Sequence, residues 1–296
     1  MKTLLTGATG LTGKLFLTRL AASHPGTEIS CLVRPQSDRT EIDTLNLQVT
    51  YYTGDSSSPQ TWEQILAQDQ FDTIIHIVQI RQIPIILDSL TQAQQVPHLI
   101  IIGTTGVFSQ YNQYSGVYKQ AESYLEQYPG SYCLLRPTMI YGSQQDKNLH
   151  KLIKFCQRYS FFPVFGSGDN LLQPIHADDI AKTLLCAWER PQIHGAYDIS
   201  GGTIVTFQEL LALVEQLLDK PVRQISLPSQ LGIWLATILE KLLRERSPVR
   251  REQILRLKED KAYPHDAAKR DLDFTPRRLE VGLKQEVELL RTQGLI

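Results

Sequence analysis

Residues 2–17 read KTLLTGATGLTGKLFL, and this opening decides the fold. Lys2 to Leu5 reads as a short strand. Gly7, Gly10 and Gly13 follow it, and Leu11, Leu15 and Leu20 then begin a helical pattern. Glycine at those places permits a tight turn and close backbone approach. The helix that opens directly afterwards offers unpaired N–H groups and a partial positive charge to a pyrophosphate. A strand before and a helix after separate a phosphate loop from a chance glycine triplet or a purely structural turn. Gly7, Thr9, Gly10, Leu11, Thr12 and Gly13 are therefore read as dinucleotide-binding.

The next strand discriminates between cofactors. ISCLVR (29–34) ends in Arg34, with Ser37 and Arg39 close behind and no acid before Asp38. A carboxylate at this strand end suits a ribose 2′-hydroxyl, whereas a cation suits a 2′-phosphate. Arg34 thus favours NADP(H) over NAD(H).

Further short apolar runs recur at Glu28 to Val33, Val49 to Tyr52, Thr73 to Val78, Leu99 to Ile102 and Tyr132 to Leu135, with helical spacing between them. That alternation predicts an α/β fold with a doubly wound parallel sheet. After Tyr141 the character changes. Asn148 to Tyr159 reads as a helix, FFPVFGSGDN (161–170) as a turn-rich loop, and His176 to Glu189 as a helix before a strand at Ala196 to Ser200. Thr206 and Glu209 form a capping box before the apolar stripe Phe207, Leu210, Leu211, Val214, Leu217 and Leu218. The expected organisation is a dinucleotide-binding domain from 1–141 with 174–200. A smaller, mainly helical C-terminal substrate subdomain from 142–173 with 201–296 is interleaved with it.

Composition bounds the function. Among 296 residues, 30 Lys and Arg face 31 Asp and Glu, a net charge of −1 that argues against nucleic acid as a partner. Hydrophobic residues at 42% and charged residues at 21% describe a globular chain, not a disordered one. Cys31, Cys133, Cys156 and Cys186 lie far apart, so neither a disulfide framework nor a zinc site is expected, and a reducing compartment fits. No signal-peptide core and no apolar stretch near the ~20 residues of a membrane span is present. The expectation is a cytoplasmic protein, monomer or homodimer, with a small-molecule substrate and no metal. His76, His176 and His265 stand at a strand end, a helix start and a loop, without the spacing of ligands.

The order of motifs resembles the extended and atypical short-chain dehydrogenase/reductases, the NAD-dependent epimerase/dehydratase family. TGATGLTG (6–13) is similar to its glycine loop and TGDSSSPQTW (53–62) to its third-strand segment. The latter implies that Asp55 and Ser56 lie by the adenine ring. FDTIIHIVQ (71–79), LIIIGTTGVF (99–108), LLRPTMIYG (134–142), QPIHADDIA (173–181) and HDAAKRDLDFTP (265–276) resemble the later motifs in order. The likeness implies a Rossmann-type fold and hydride transfer with a nicotinamide cofactor.

The resemblance also implies a Tyr four residues before a Lys on one helix face, with a Ser or Thr holding the reacting oxygen. Lys119, followed by QAESYL with Glu122, matches the Lys, but Ser115 stands at the Tyr position. Tyr111, Tyr114 and Tyr118 surround the gap. A helix starting at Ser115 would leave Tyr114 free to bend inward, which makes Thr104, Tyr114 and Lys119 the candidate catalytic set. Thr105 is the alternative hydroxyl, and both threonines as mere caps of the fifth strand is a further reading. In the fourth strand, where the resemblance implies small alanines beside the cofactor, stand the bulkier Val78 and Gln79.

Two functions remain open on this evidence. One is an NADP(H)-dependent oxidoreductase or epimerase/dehydratase-like enzyme acting on a small alcohol, ketone or sugar-like substrate. The other is a non-catalytic NAD(P)-binding regulator or assembly factor that has lost the Tyr–Lys pair. Nucleotide-diphosphate sugars call for cations, and the resemblance implies an Arg a few residues before HADD (176–179), where the matching place is close to the uncharged Leu172 and Gln173. From Lys241 to Lys261, eight basic residues against four acids read as a solvated face or as an anchor for an anion. Trp234, Leu235, Ile238, Leu239 and Leu242 share one helix side. It reads as core packing, with a substrate wall or a peripheral membrane contact as alternatives.

Overall fold

The computed structural model describes residues 1–146, 148–243 and 251–296. Arg244, Arg246 and Arg250 of the basic run lie outside them. The first half alternates strictly: β1 (Thr3–Thr6), α1 (Leu11–Ser23), β2 (Glu28–Val33), α2 (Thr40–Asp43), β3 (Gln48–Thr53), α3 (Pro59–Gln68), β4 (Thr73–His76), α4 (Ile83–Gln92), β5 (His98–Ile102), α5 (Ser115–Glu126) and β6 (Tyr132–Pro137). There follow β7 (Ile140–Tyr141), α6 (Leu149–Arg158), β8 (Phe161–Phe165), β9 (Leu171–Leu172), β10 (Ile175–His176), α7 (Ala177–Glu189), β11 (Gly195–Ile199), β12 (Val205–Thr206) and α8 (Phe207–Leu218). The chain ends with β13 (Arg223–Leu227), α9 (Ser229–Leu243), α10 (Arg251–Arg256), α11 (Asp266–Leu272) and α12 (Leu279–Thr292).

Seven strands form one parallel sheet in the order β11-β6-β5-β4-β1-β2-β3. Strand β1 is buried along its whole length, as expected where helices cover both faces. One face packs a core of Phe16, Leu17, Leu20, Ile180 and Leu184 between the sheet, α1 and α7. The other packs Trp62, Ile65, Ile83, Ile86 and Leu125 of α3, α4 and α5. This is the doubly wound, Rossmann-type arrangement. Its order reverses between β1 and β4, which opens a crevice at their carboxyl ends.

A third core joins α6, α8 and α12 through Leu152, Ile153, Leu210, Val214, Leu283 and Val287. The Thr206–Glu209 capping box is present at the start of α8. Residues 161–170 depart from the expected loop. Phe161–Phe165 is a strand that pairs in parallel with β13 in a two-stranded sheet. Such a short pair tolerates Pro163, because a ribbon edge does not require its missing N–H. The turn character is confined beyond it, where Gly166 and Gly168 have φ of +92° and +75°.

The fourth strand stops at His76, short of Val78, where the imidazole bonds the Thr6 hydroxyl (2.8 Å) and the Gln79 carbonyl oxygen (3.2 Å). Packing also departs from expectation at Trp234, which is 60% exposed and not part of a core. Among the described residues no helix is long and apolar enough to cross a membrane. All four cysteines are free thiols.

One carboxyl in the third core has an unusual setting. Glu286 of α12 is buried beside Asp146, and the neighbouring Gly142 backbone offsets its burial only in small part. Desolvation first, and the neighbouring Asp146 second, push its pKa well above the ordinary 4.5. The native state therefore holds a proton there that the unfolded chain releases. Stability falls as pH rises from the ordinary carboxylate range toward that raised value. Glu286→Gln, which keeps the neutral shape, should raise the melting temperature at pH ~8 more than at pH ~5 in calorimetry. An equal effect at both values would show that Glu286 is ionised in the fold.

Candidate active site

The crevice begins at the turn after β1. Gly7 adopts φ +81°, and a Cβ at residue 13 would overlap the Gly7 carbonyl oxygen and stand 2.9 Å from Ala8 Cα. Only hydrogen at these Cα atoms lets α1 start so close to the strand. Gly10 caps the helix in an extended conformation without a side-chain hydrogen bond, so the first N–H groups of α1 have no side-chain acceptor at the cap. A free helix start at a topological switch point suits an anionic diphosphate. Thr12 and Gly13 are buried within the turn of the helix, and Thr9 and Leu11 flank its mouth. Val78 packs against Gly7: one of its methyl carbons lies 3.3 Å from where a Gly7 Cβ would be.

At the end of β2, Arg34 is exposed and makes no ion pair among the described residues. Its charge helps to hold the Asp55 carboxyl below its ordinary value, behind the larger effect of bonds from Ser57. Asp55 accepts from the Ser57 amide (2.8 Å) and hydroxyl (2.7 Å), and the Ser56 carbonyl accepts from the Trp62 indole (2.9 Å). Both residues thus shape the turn into α3. Arg39 lies over the Tyr51 ring at 4.7 Å. Asp38, the nearest acid, is occupied by the Thr40 amide and hydroxyl.

Beyond β5, Thr104 and Thr105 differ. The Thr105 hydroxyl donates to the Pro137 carbonyl oxygen (3.3 Å). The Thr104 Oγ1 instead accepts from the Gly106 amide (3.0 Å), which leaves its own proton free. Helix α5 starts at Ser115, and Tyr114 precedes it in near-helical conformation rather than an extended loop. The Tyr114 ring is 43% exposed and lies 6.4 Å from Tyr118, and Lys119 is exposed one turn into the helix. No hydrogen bond joins Tyr114 to Lys119 among the described residues. Helix α5 is fixed instead by Glu122, which accepts two bonds from Arg136 of β6 at 2.9 and 2.6 Å.

A cavity of about 670 Å³ lies beside Thr104, Thr105 and Thr138. Tyr114 and Lys119 are not among its lining residues. The segment after α10 closes it, and sequence reasoning missed this role. Glu259 accepts from the Ser109 hydroxyl (2.7 Å) and from the Gln110 and Tyr111 amides (2.7 and 3.2 Å), so the loop before α5 hangs from it. Lys261 and Tyr263 both line the cavity, with Ala262 between them. The only sequence signal was the basic run, whose bonding partners lie some 150 residues away.

Gln173 opens the QPIHADD stretch. Its amide donates to the Gly201 carbonyl oxygen (2.8 Å) and its oxygen accepts from the Tyr263 amide (2.9 Å), so it is wholly engaged by backbone. Each histidine once considered as a ligand has a structural partner. His176 caps α7 by accepting from the Asp178 amide (3.1 Å), and His265 bonds the Ser200 hydroxyl (2.7 Å).

Comparison with known proteins agrees with this geometry. The curated short-chain dehydrogenase/reductase family 42E member 1 of Mus musculus is 25% identical over 176 residues. That match covers 55% of this chain, and the chain spans under half (44%) of that relative's length. Two solved structures share the fold. UDP-glucose 4-epimerase from Thermotoga maritima superposes with a TM-score of 0.73 at 17% identity, covering 99% of both chains. UDP-glucuronic acid 4-epimerase from Bacillus cereus, solved with UDP-glucuronic acid and NAD, gives 0.74 at 17% identity over 99% of this chain and 100% of that one. The model of the NAD dependent epimerase/dehydratase family matches residues 3–89 and 104–200. With that match across more than half of its length, over the glycine loop, the Thr104 segment and the α7 motif, the chain belongs to the NAD-dependent epimerase/dehydratase family.

Proposed function

We propose that the protein is a nicotinamide-dependent oxidoreductase or epimerase/dehydratase-like enzyme that prefers NADP(H). Its substrate is a small alcohol, ketone or sugar-like molecule. The observation that carries this reading is the open N-terminus of α1, set by Gly7 and Gly13 at the point where the strand order reverses. The division of labour follows the sequence intervals. Residues 1–141 with 174–200 hold the cofactor, and 142–173 with 201–296 hold the substrate.

The first amides of α1 bind the diphosphate, and Arg34 pairs with a 2′-phosphate. Asp55 and Ser56 border the adenine. A bound nicotinamide supplies hydride transfer to or from a substrate carbon. Thr104, whose oxygen is polarised by the Gly106 N–H, donates its proton to the substrate oxygen and fixes it. Lys119 serves the ribose and Tyr114 the proton transfer, which requires its exposed ring to turn inward when substrate is bound. The chain's family relatives of known structure include NAD complexes with nucleotide sugars, but Gln173 gives this chain no cation at the corresponding place.

The exposure of Tyr114 and Lys119 favours a second reading, a cofactor-binding regulator or assembly factor without turnover. A cytoplasmic location accords with the four free thiols.

Titration with both reduced cofactors tests the choice of NADP(H). Arg34→Ala should weaken NADPH by ~1.5–3 kcal/mol and leave NADH unchanged. Equal losses for both would remove Arg34 from the 2′-phosphate site. Hydride transfer is tested on an identified substrate, where Thr104→Ala and Tyr114→Phe should each lower kcat by at least ~100-fold. If both variants keep full turnover, the assigned chemistry is wrong. If NADPH binds, alters a partner's association and no turnover is found, the regulator reading stands.

A further inference from the structure

The cavity beside Thr104 has two unlike halves. One is aromatic and aliphatic. Phe155 of α6 packs against Phe162 of β8 at 5.3 Å between ring centres, and Phe162 against Phe207 of α8 at 5.7 Å. Leu152 and Leu210 complete that wall. The other half carries cations: Arg256 of α10 and Lys261 just beyond it, with Lys151 of α6 at the rim.

The acids that would ordinarily neutralise these cations are spent elsewhere. Glu259 is the one carboxylate lining the cavity among the described residues, and it accepts three bonds from residues 109–111. Asp260 accepts from the Leu171 amide (2.8 Å). Lys261 makes no ion pair among the described residues. The guanidinium of Arg256 reaches Glu252 only at 3.8 Å, and its buried Nε has no acceptor. Burial is the main cause, and Arg256 the next, that pushes the Lys261 ammonium down to about 8. Both side chains are half-buried, and Glu259 offsets the Lys261 charge only in part, so the positive charge held there at neutral pH is under-compensated.

We infer that the cavity receives an amphipathic anion, with one carboxylate or phosphate head between Lys261 and Arg256 and an apolar body against Phe155, Phe162 and Phe207. The proposal rests on reading this cavity as the substrate side of a dinucleotide enzyme. It narrows the substrate to a hydroxy or oxo compound that carries both an acidic group and a hydrophobic part. A nucleoside diphosphate sugar carries the anionic group but no aliphatic body to cover the Phe155, Phe162 and Phe207 wall. The volume of about 670 Å³ falls within the range of sites that enclose one small molecule.

Calorimetric titration of the cofactor-free full chain decides the matter with five probes: decanoate, decyl phosphate, decanol, inorganic phosphate and UDP-glucose. Decanoate or decyl phosphate should bind at least about tenfold more tightly than decanol and than inorganic phosphate, because only they satisfy both halves. Which of the two is preferred identifies the head group. Lys261→Met and Arg256→Gln should each weaken the preferred probe by about tenfold or more and leave decanol unchanged. Circular dichroism shows that each variant is folded. Tighter binding of UDP-glucose than of either amphiphile would overturn the inference, as would unchanged affinity in both folded variants. A parallel titration with NADPH keeps the two readings separate. NADPH binding without amphiphile binding sinks the substrate class alone. Amphiphile binding without NADPH binding sinks the enzyme reading and leaves the cavity assignment standing.

Discussion

Two adjacent carboxylates hold the molecule together. Asp178 and Asp179 open α7, and Arg19 of α1 grips Asp178 with two bonds of 2.7 Å. Arg277 reaches both acids, at 2.6 Å to Asp178 and 2.9 Å to Asp179, and its own amide donates to Asp179 at 3.0 Å. Burial opposes ionisation here. The bonds from Arg19 and Arg277 outweigh it and bring Asp178 down to about 2. Asp178, partly buried, remains charged because the guanidinium forks replace its water. The consequence is geometric. Arg19 fixes the body of α1, whose other end is the glycine turn, and Arg277 fixes the start of the segment leading to α12 and the third core. One knot therefore ties α1, the start of α7 and the approach to α12 to one another.

That knot shows where sequence reading succeeds and where it stops. The parallel sheet was legible because its central strands β1, β4 and β5 are short runs rich in apolar, β-branched residues and buried along their whole length, and the longer helices announce themselves by local spacing. The same holds for the Thr206–Glu209 cap, whose partners are three residues apart. In the QPIHADD stretch, His176 was legible as standing at a helix start, and it caps α7 through an amide two residues on. The two aspartates that follow it have partners 159 and 98 residues away, beyond any local reading. Strand β8 escaped notice likewise, since Phe161–Phe165 becomes a strand only through pairing with residues 223–227. Nothing in a window of ten residues encodes such a partner.

The candidate site divides along the same line. The glycine turn was fully legible, because the need for hydrogen at Gly7 and Gly13 follows from a strand and a helix separated by a few residues. The roles of Thr104 and Thr105 were not separable by sequence. Their distinction comes from which acceptor or donor each hydroxyl meets, Gly106 for one and Pro137 for the other. The absence of Tyr at position 115 was visible. That Tyr114 would nonetheless lie exposed before α5 depends on how Glu122 and Arg136 fix the helix.

The segment from Arg251 to Tyr263 links these points. It delivers Arg256 and Lys261 to the cavity and, through Glu259, suspends residues 109–111, the loop that leads to Tyr114. This gives the unusual spacing of Tyr114 and Lys119 a physical context: in this chain the approach to α5 is held by a carboxylate two residues from Lys261, a partly buried lysine of the cavity. A Tyr four residues before Lys119 would depend on the helix alone for its place. Tyr114, one residue earlier, caps the helix: its carbonyl oxygen accepts from the Tyr118 amide at 3.0 Å, and its own amide donates to the Asn112 side-chain oxygen at 3.0 Å, directly after the loop that Glu259 holds.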